Sequence, residues 1–290
     1  MSTPSRPALH ALAERLGELG VLDAPAKAVG KLVRSAIPRG PVKDALSGTW
    51  LGHGLHPLLT DVPIGTWTSA TILDLVGGRA GRRGADRLVA VGVIAATPTA
   101  VTGLSDWADT EPASDGVRRI GSVHALANVT ALGLNAASLA ARAGGRRGAG
   151  VTLGLAGAGA LAVGGHLGGH LSYARGVGVD THAFDRPVAD WEDVLAEAEV
   201  PEGGLRVAAV DGEPVLLARH GGELFALADR CAHRQGPLHE GELVDGCVEC
   251  PLHGSRFALA DGSVERGPSA YPQPAYETRV REGRIEVRRP

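Results

Sequence analysis

Near the C-terminus, Cys231 and His233 stand one residue apart, and sixteen residues later Cys250 and His253 stand two apart. Two Cys-His pairs a loop's length from each other can close around one metal centre, so this end of the chain must bring two loops together. The mixture of ligands matters, because thiolates are soft anions that hold ferric iron, whereas neutral imidazoles carry less charge and raise the potential of the iron they bind. Zinc accepts the same composition, but such zinc sites usually pair C-x2-C with H-x3-H, whereas here each short loop offers one Cys and one His. Pro251 and Gly254, one rigid and one permissive, flank the second pair and shape a loop whose amides can point at sulfur. The third thiol, Cys247, lies one strand step before that loop and reads as a buried strand residue.

The C-x-H and C-P-x-H-G motifs, with Ser255, Phe257, Asp261-Gly262 and Gly267-Pro268, resemble a Rieske [2Fe-2S] domain over residues 187–290. The resemblance implies a small all-β domain in which Cys231 and Cys250 ligate one iron and His233 and His253 the other, with loop tips that dock a partner. Rieske proteins of quinol-oxidising complexes carry two more cysteines that join the loops; Gly236 and Leu252 occupy those positions here, so no loop disulfide is expected. Those proteins also carry a Ser and a Tyr that hydrogen-bond the cluster, and the equivalents here are Ser255 and Phe257. With fewer donors, the expected potential lies in the lower to middle part of the Rieske span of about −150 to +300 mV. Rieske oxygenases feed a mononuclear iron in a long following domain; thirty-seven residues follow His253 and none is His, so an oxygenase catalytic subunit is not expected.

Upstream the composition changes. Leu58 to Val76, Leu88 to Leu104, Ile120 to Ala140 and Val151 to Tyr173 are apolar stretches of 17 to 23 residues, against the roughly 17 to 25 needed to cross a bilayer. A soluble amphipathic helix shows a charged face, yet Leu88 to Leu104 and Val151 to His170 contain no acid, Lys or Arg. Gly164 with Gly168, and Gly165 with Gly169, have the small-xxx-small spacing that lets helices touch in lipid. The stretch "LHPLLTDVPIGTWTSATILDLVGG", with "TGLSDW", "VHALAN" and "GGHLSYARGVGVD", resembles the DUF2231 family of four-helix bacterial membrane proteins. That resemblance implies a topology and no particular activity.

Polar residues in such helices are expensive and need a role. Asp61 and Asp74 bracket the first helix, while His56, His124, His166 and His170 sit in or beside the first, third and fourth. Following the chain up and down puts all four histidines towards one membrane face, with His166 and His170 at i, i+4 on one side of their helix. They could ligate haem b, a metal or a quinone, or sit as interfacial polar residues beside Trp50, Trp107 and Tyr173. His124 is expected to meet at least one of His166 and His170.

The N-terminal segment reads as amphipathic and without a signal peptide, because His10, Glu14, Arg15 and Glu18 interrupt Leu9 to Leu22. Lys27, Lys31 and Arg34 follow at helical spacing, suited to an anionic lipid surface or to solvent. Arg79, Arg82, Arg83 and Arg87 after the first span, and Arg142, Arg146 and Arg147 after the third, outnumber Arg118 and Arg119 after the second. The positive-inside rule then favours a plasma-membrane protein whose Rieske-like domain is extracytoplasmic. Arg146-Arg147 weakly resembles a twin-arginine export signal, whereas the basic N-terminal tail favours the opposite orientation.

The expected organisation is multidomain: an amphipathic segment at 1–50, an all-α four-helix transmembrane bundle resembling DUF2231 at 51–180, and a small all-β Rieske-type iron-sulfur domain at 187–290. Its expected work is one-electron transfer from a membrane anchor. Two alternatives stay open, a subunit of a quinol- or haem-linked oxidoreductase using the histidines, and a membrane-anchored redox sensor. Expected partners are a redox protein or quinol, and membrane lipid; a net charge of −3 without a basic stripe gives no support for nucleic acid.

Overall fold

The computed structural model describes residues 7–185 and 188–289. The chain forms two compact units, one from Met1–Ile37 with Leu55–Val177 and the other from Pro38–Gly54 with Gly178–Pro290. The N-terminal segment 1–50 is therefore shared between the two units, divided at Pro38.

In the helical unit, α4 (Leu55–Val76), α5 (Gly78–Thr110), α6 (Asp115–Ala143) and α7 (Arg147–Gly169) are joined by short connections, with α4 packed along α5 and α6 along α7. Among the described residues, α5, α6 and the helical run 147–174 are long and apolar enough to cross a membrane. The first expected span, α4, has the length at 22 residues but falls short on apolarity. Asp61, Asp74 and a run of Thr and Ser dilute its leucines.

Burial inverts the soluble pattern. Ile72, Ile94, Leu126, Val129 and Val163 are exposed, while Thr102, Asn135, Ser138 and Arg142 are buried, which suits lipid outside and polar groups inside. A repeat explains how α6 and α7 close up. Gly150, Gly157 and Gly164 recur every seventh residue on α7 and receive Arg142, Asn135 and Asn128 of α6, also seven apart. A Cβ at any of these glycines would lie 2.6 Å from the facing side chain. A seven-residue repeat keeps one seam in register along a left-handed helix pair. Gly164 and Gly168 belong to that seam, whereas a Cβ at Gly165 would meet open space.

Ion pairs close both ends of the bundle. At one, Arg142 and Arg147 bind Asp74 and Asp86. At the other, Arg118 and Arg119 bind Asp23 at 2.9 and 2.7 Å. Four of the loop arginines counted for orientation are thus part of the fold. The amphipathic helices are α1 (Ala8–Leu16) and α2 (Asp23–Ala36), and α2 buries Ala26, Gly30 and Val33 along one face. Arg34, read as facing lipid or solvent, instead reaches Glu111 at 3.0 Å, because the Glu111 carboxylate is buried and needs a cation.

Among the described residues the second unit contains a short helix, α3 (Pro41–Ser47), and ten strands: β1 (Val188–Ala196), β2 (Leu205–Val210), β3 (Glu213–His220), β4 (Glu223–Ala228), β5 (Glu242–Val244), β6 (Cys247–Glu249), β7 (Arg256–Ala258), β8 (Val264–Arg266), β9 (Ala275–Arg281) and β10 (Arg284–Arg289). They make a six-stranded sheet in the order β1-β10-β9-β4-β3-β2 and a four-stranded sheet in the order β5-β6-β7-β8. Alternation along β3 sends Val215 and Leu217 into a core with Ile285 and Val287. Leu216 goes to the other face with Leu238, Val248 and Phe257. That second core also holds Cys231 and Cys250, so the metal-ligating candidates grow out of a packed interior.

Candidate metal centre

The two candidate loops leave strands of different sheets. Cys231 and His233 lie between β4 and β5, and Cys250 and His253 between β6 and β7. In the first loop the Gln235 amide donates to the Cys231 carbonyl at 2.7 Å and the Cys231 amide donates to Gly236 at 2.9 Å. Buried Asp229 accepts from the His239 amide at 2.8 Å and meets His239 Nδ1 at 2.8 Å, fixing the far side. In the second loop the Cys250 amide donates to Ser255 at 2.8 Å and the Gly254 amide to Cys250 at 3.0 Å, a tight turn that Gly254 completes at φ 79°.

These turns bring the four ligand candidates together. Cys231 and Cys250 are each 1% exposed, and their thiols lie within hydrogen-bonding contact. The His233 and His253 rings stand edge-on with centroids 5.0 Å apart. Backbone amides of His233 and Arg234 point at the Cys231 sulfur, and those of Leu252 and His253 at the Cys250 sulfur. The hydrogen bond from Cys231 and then those amides, against the opposing effect of burial, pull Cys250 down to about 7. Cys231 is pushed well up by that same contact and by burial. Burial, and then the charge of Arg234, hold the His233 imidazole neutral.

This donor set fits a metal cluster. Two buried sulfurs in contact cannot both be anions without a cation between them, and a metal needs thiolates and neutral imidazoles. The amides aimed at sulfur are donors that stabilise its negative charge. Among the described residues all three cysteines are free thiols, and Cys247 sits in β6 with its Sγ 3.9 Å from the Asp245 carbonyl. Gly236 is where the loops press together, because a Cβ there would lie 2.9 Å from Cys250 Sγ and 3.0 Å from Leu252. The two positions that would carry a loop disulfide are in contact without one.

Three supports were not legible in the sequence. Gln273, 1% exposed, accepts from the Ala232 amide at 2.9 Å and donates to the Ala228 and Arg230 carbonyls at 2.6 and 2.7 Å. His182 meets the same Arg230 carbonyl at 2.6 Å. Arg39 donates to the Leu252 carbonyl at 2.9 Å, bracing the second loop from 213 residues away. Only the local motifs carry a sequence signal; these braces come from distant segments. Ser255 is fully buried and its Oγ accepts from the Ser269 amide at 3.0 Å, which leaves its own proton free to be donated. Phe257 is fully buried in the core shared with both cysteines.

The four membrane histidines do not all meet: His56 and His124 lie near enough to feel each other's charge, whereas His170 faces Glu14 on α1. His56 Nδ1 lies 2.9 Å from the Thr99 carbonyl and its ring lies against Gly103. His124 Nδ1 lies 2.8 Å from the Gly164 carbonyl, with its ring against Gly168. His166 is exposed, since two residues from Gly164 or Gly168 is about 200° around the helix. His170 is buried, with Nε2 3.0 Å from Glu14 Oε1. The expected meeting of His124 with His166 or His170 is not seen; His124 meets the α7 backbone instead. His166 and His170 differ in burial because α1 covers His170.

A small two-sheet β unit with paired thiols and imidazoles on two adjoining loops defines an iron-sulfur electron-transfer domain, and the helical unit defines a membrane domain. Residues 190–277 match the Rieske [2Fe-2S] domain family, and residues 52–181 match the predicted membrane protein family DUF2231. The anthranilate 1,2-dioxygenase ferredoxin subunit of Burkholderia cepacia is 35% identical over 100 residues, 34% of this chain and 93% of that protein. The 3-phenylpropionate/cinnamic acid dioxygenase ferredoxin subunit of Escherichia coli K12 is 39% identical over 92 residues, 31% of this chain and 85% of that protein. Among solved structures, the ferredoxin of carbazole 1,9a-dioxygenase from Nocardioides aromaticivorans IC177 aligns over 34% of this chain and 97% of its own, at 28% identity and a TM-score of 0.33. The chain belongs to the Rieske [2Fe-2S] family. It joins a Rieske domain to a DUF2231 membrane domain, and it is a membrane-anchored Rieske electron carrier.

Proposed function

We propose that Cys231 and Cys250 hold one iron of the [2Fe-2S] cluster and His233 and His253 the other, and that the chain hands single electrons to a redox partner protein. The observation that carries this is the meeting of both thiols and both imidazoles at two loops whose amides face the sulfurs. When bound there, the cluster supplies one reversible electron. The thiolates and amides anchor the buried side, while Leu252, 49% exposed at the loop tip, offers an apolar contact beside His253. Several relatives are named as ferredoxin subunits of dioxygenases, which supports a protein partner. A potentiometric titration in detergent should give one one-electron step within about −150 to +300 mV. A two-electron step, or none in that range, would end the proposal.

Ser255 tunes that step. Its proton, freed by the Ser269 contact, is proposed to reach the cluster and stabilise the more negative reduced state. A hydrogen bond to a charged acceptor is worth about 1.5 to 3 kcal/mol, so Ser255→Ala should lower the midpoint by about 65 to 130 mV for one electron. An unchanged midpoint in a folded variant would remove Ser255 from the cluster.

One observation also favours quinol or haem b at the membrane histidines. The Nδ1 atoms of His56 and His124 face carbonyls that can only accept, so Nδ1 carries the proton and Nε2 is the basic nitrogen, as in an imidazole that ligates iron or takes a quinol proton, although at His124 the Asn128 amide already faces Nε2 at 3.2 Å. Haem b would have to part helices that pack His56 on Gly103 and His124 on Gly168. Reduced spectra without haem bands, together with no reduction of the cluster by quinol, would leave these rings as helix-packing groups.

We further propose the plasma membrane, with lipid around the bundle and the Rieske unit outside the cytoplasm. Arg79, Arg82, Arg83 and Arg87, which follow α4, support this orientation. A reporter that works only in the cytoplasm should be active when fused after α4 and inactive at the C-terminus; the reverse would put the Rieske unit inside.

A further inference from the structure

We propose that His10, Glu14 and His170 bind one divalent transition-metal ion of the zinc type, separate from the Rieske centre. His10 and Glu14 lie at i and i+4 on α1, so both project from one face of it. His170 comes to them from the end of α7, where the backbone leaves the α-helix for a π-helical turn, His170–Ala174. Such turns are rare and tend to mark functional positions. One ligand atom from each of the three residues lies within 4.8 Å of the other two.

The geometry is close to that of a loaded site. A tetrahedral zinc with ligands at about 2.0–2.2 Å sets neighbouring donors about 3.3–3.6 Å apart. Glu14 Oε1 and His170 Nε2 are 3.0 Å apart, and the His10 and His170 ring centroids 5.1 Å. Small side-chain rotations close the remainder. Two imidazoles and one carboxylate, with a position left over, are the ligands that zinc takes in open sites and that iron(II) takes in facial triads.

The neighbours are arranged for the same end. Arg175 Nη2 holds Glu14 Oε2 at 2.5 Å, which fixes the carboxylate and leaves Oε1 for the ion, as an outer-shell partner does. Its charge opposes a second cation, yet Arg175 is 31% exposed, so water screens it. A plain ion pair is the competing account. It explains Glu14, His170 and Arg175, but it does not explain a second imidazole turned onto the first. His170 is 3% exposed, while His10 and Glu14 are half-buried, so an ion could enter from the α1 side. Once bound, it would fasten α1 to the end of α7.

The test uses the full chain in detergent with its cluster intact, freed of loose metal by chelator and then titrated with Zn2+ or Co2+. One equivalent beyond the iron should bind, with Co2+ giving visible bands of a nitrogen- and oxygen-ligated ion. His10→Ala and Glu14→Gln should each weaken binding about tenfold or more, the lower end of what altering even an outer-shell partner costs. His166→Ala, exposed and one turn away, should leave it unchanged. An unaltered cluster spectrum and melting curve would show that each variant is folded. Absence of the extra equivalent in the wild type, or binding undiminished in both His10→Ala and Glu14→Gln, would overturn the site and leave an ion pair.

Discussion

Replacing Cys231 or Cys250 with Ser should abolish the visible absorption of the iron-sulfur centre, while Cys247→Ser should leave it assembled. A serine oxygen is harder and far less acidic than a thiol, so it gives up the softness and the negative charge that hold ferric iron. The expected asymmetry follows from position. Cys231 and Cys250 touch across the two loops, whereas Cys247, in β6, points its sulfur at the Asp245 carbonyl in the turn before it. Spectra of the three variants after anaerobic reconstitution decide the matter. Loss of the centre in Cys247→Ser would show that the thiol roles are misassigned.

The second large effect lies in the bundle. Asp74 has a side chain only 4% exposed and is held by Arg142 and Arg147. Replacing both arginines with Leu strands that carboxylate, and breaking a buried pair from one side costs about 3–5 kcal/mol. Adding Asp74→Leu should recover most of the loss, because replacing all the charges with apolar groups of similar size is often neutral. Asp86 needs no such rescue, being 38% exposed. Unfolding in detergent, followed by helix content, would measure this. A loss under about 1 kcal/mol in the double variant would mean that water already reaches Asp74.

How far the sequence reveals this molecule depends on whether a feature is local. Cys231, His233, Cys250 and His253 stand out because each loop carries a short motif whose chemistry is self-contained, and the Rieske family match covers them. The bundle stands out because spans 17 to 23 residues long lack charge over whole turns. What could not be read is what distant segments do to each other. Nothing in residues 38–54 announces that Arg39 braces the Leu252 carbonyl, nor does Gln273 look different from a surface glutamine until its three loop contacts are seen. The expected meeting of His124 with His166 or His170 was out of reach for the same reason. A shared membrane face follows from counting helices, but whether rings converge depends on rotation about each axis, and that is set by the seam of Gly150, Gly157 and Gly164 against α6. His170 was found as a candidate but matched with the wrong neighbours, since its partners His10 and Glu14 lie on α1.

The most direct test of the central claim is iron, acid-labile sulfide and zinc analysis of the purified, detergent-solubilised chain before any metal is added back. A [2Fe-2S] centre on these ligands predicts two irons and two sulfides per chain. One zinc per chain at the four Cys and His ligands, with neither iron nor sulfide, would contradict it.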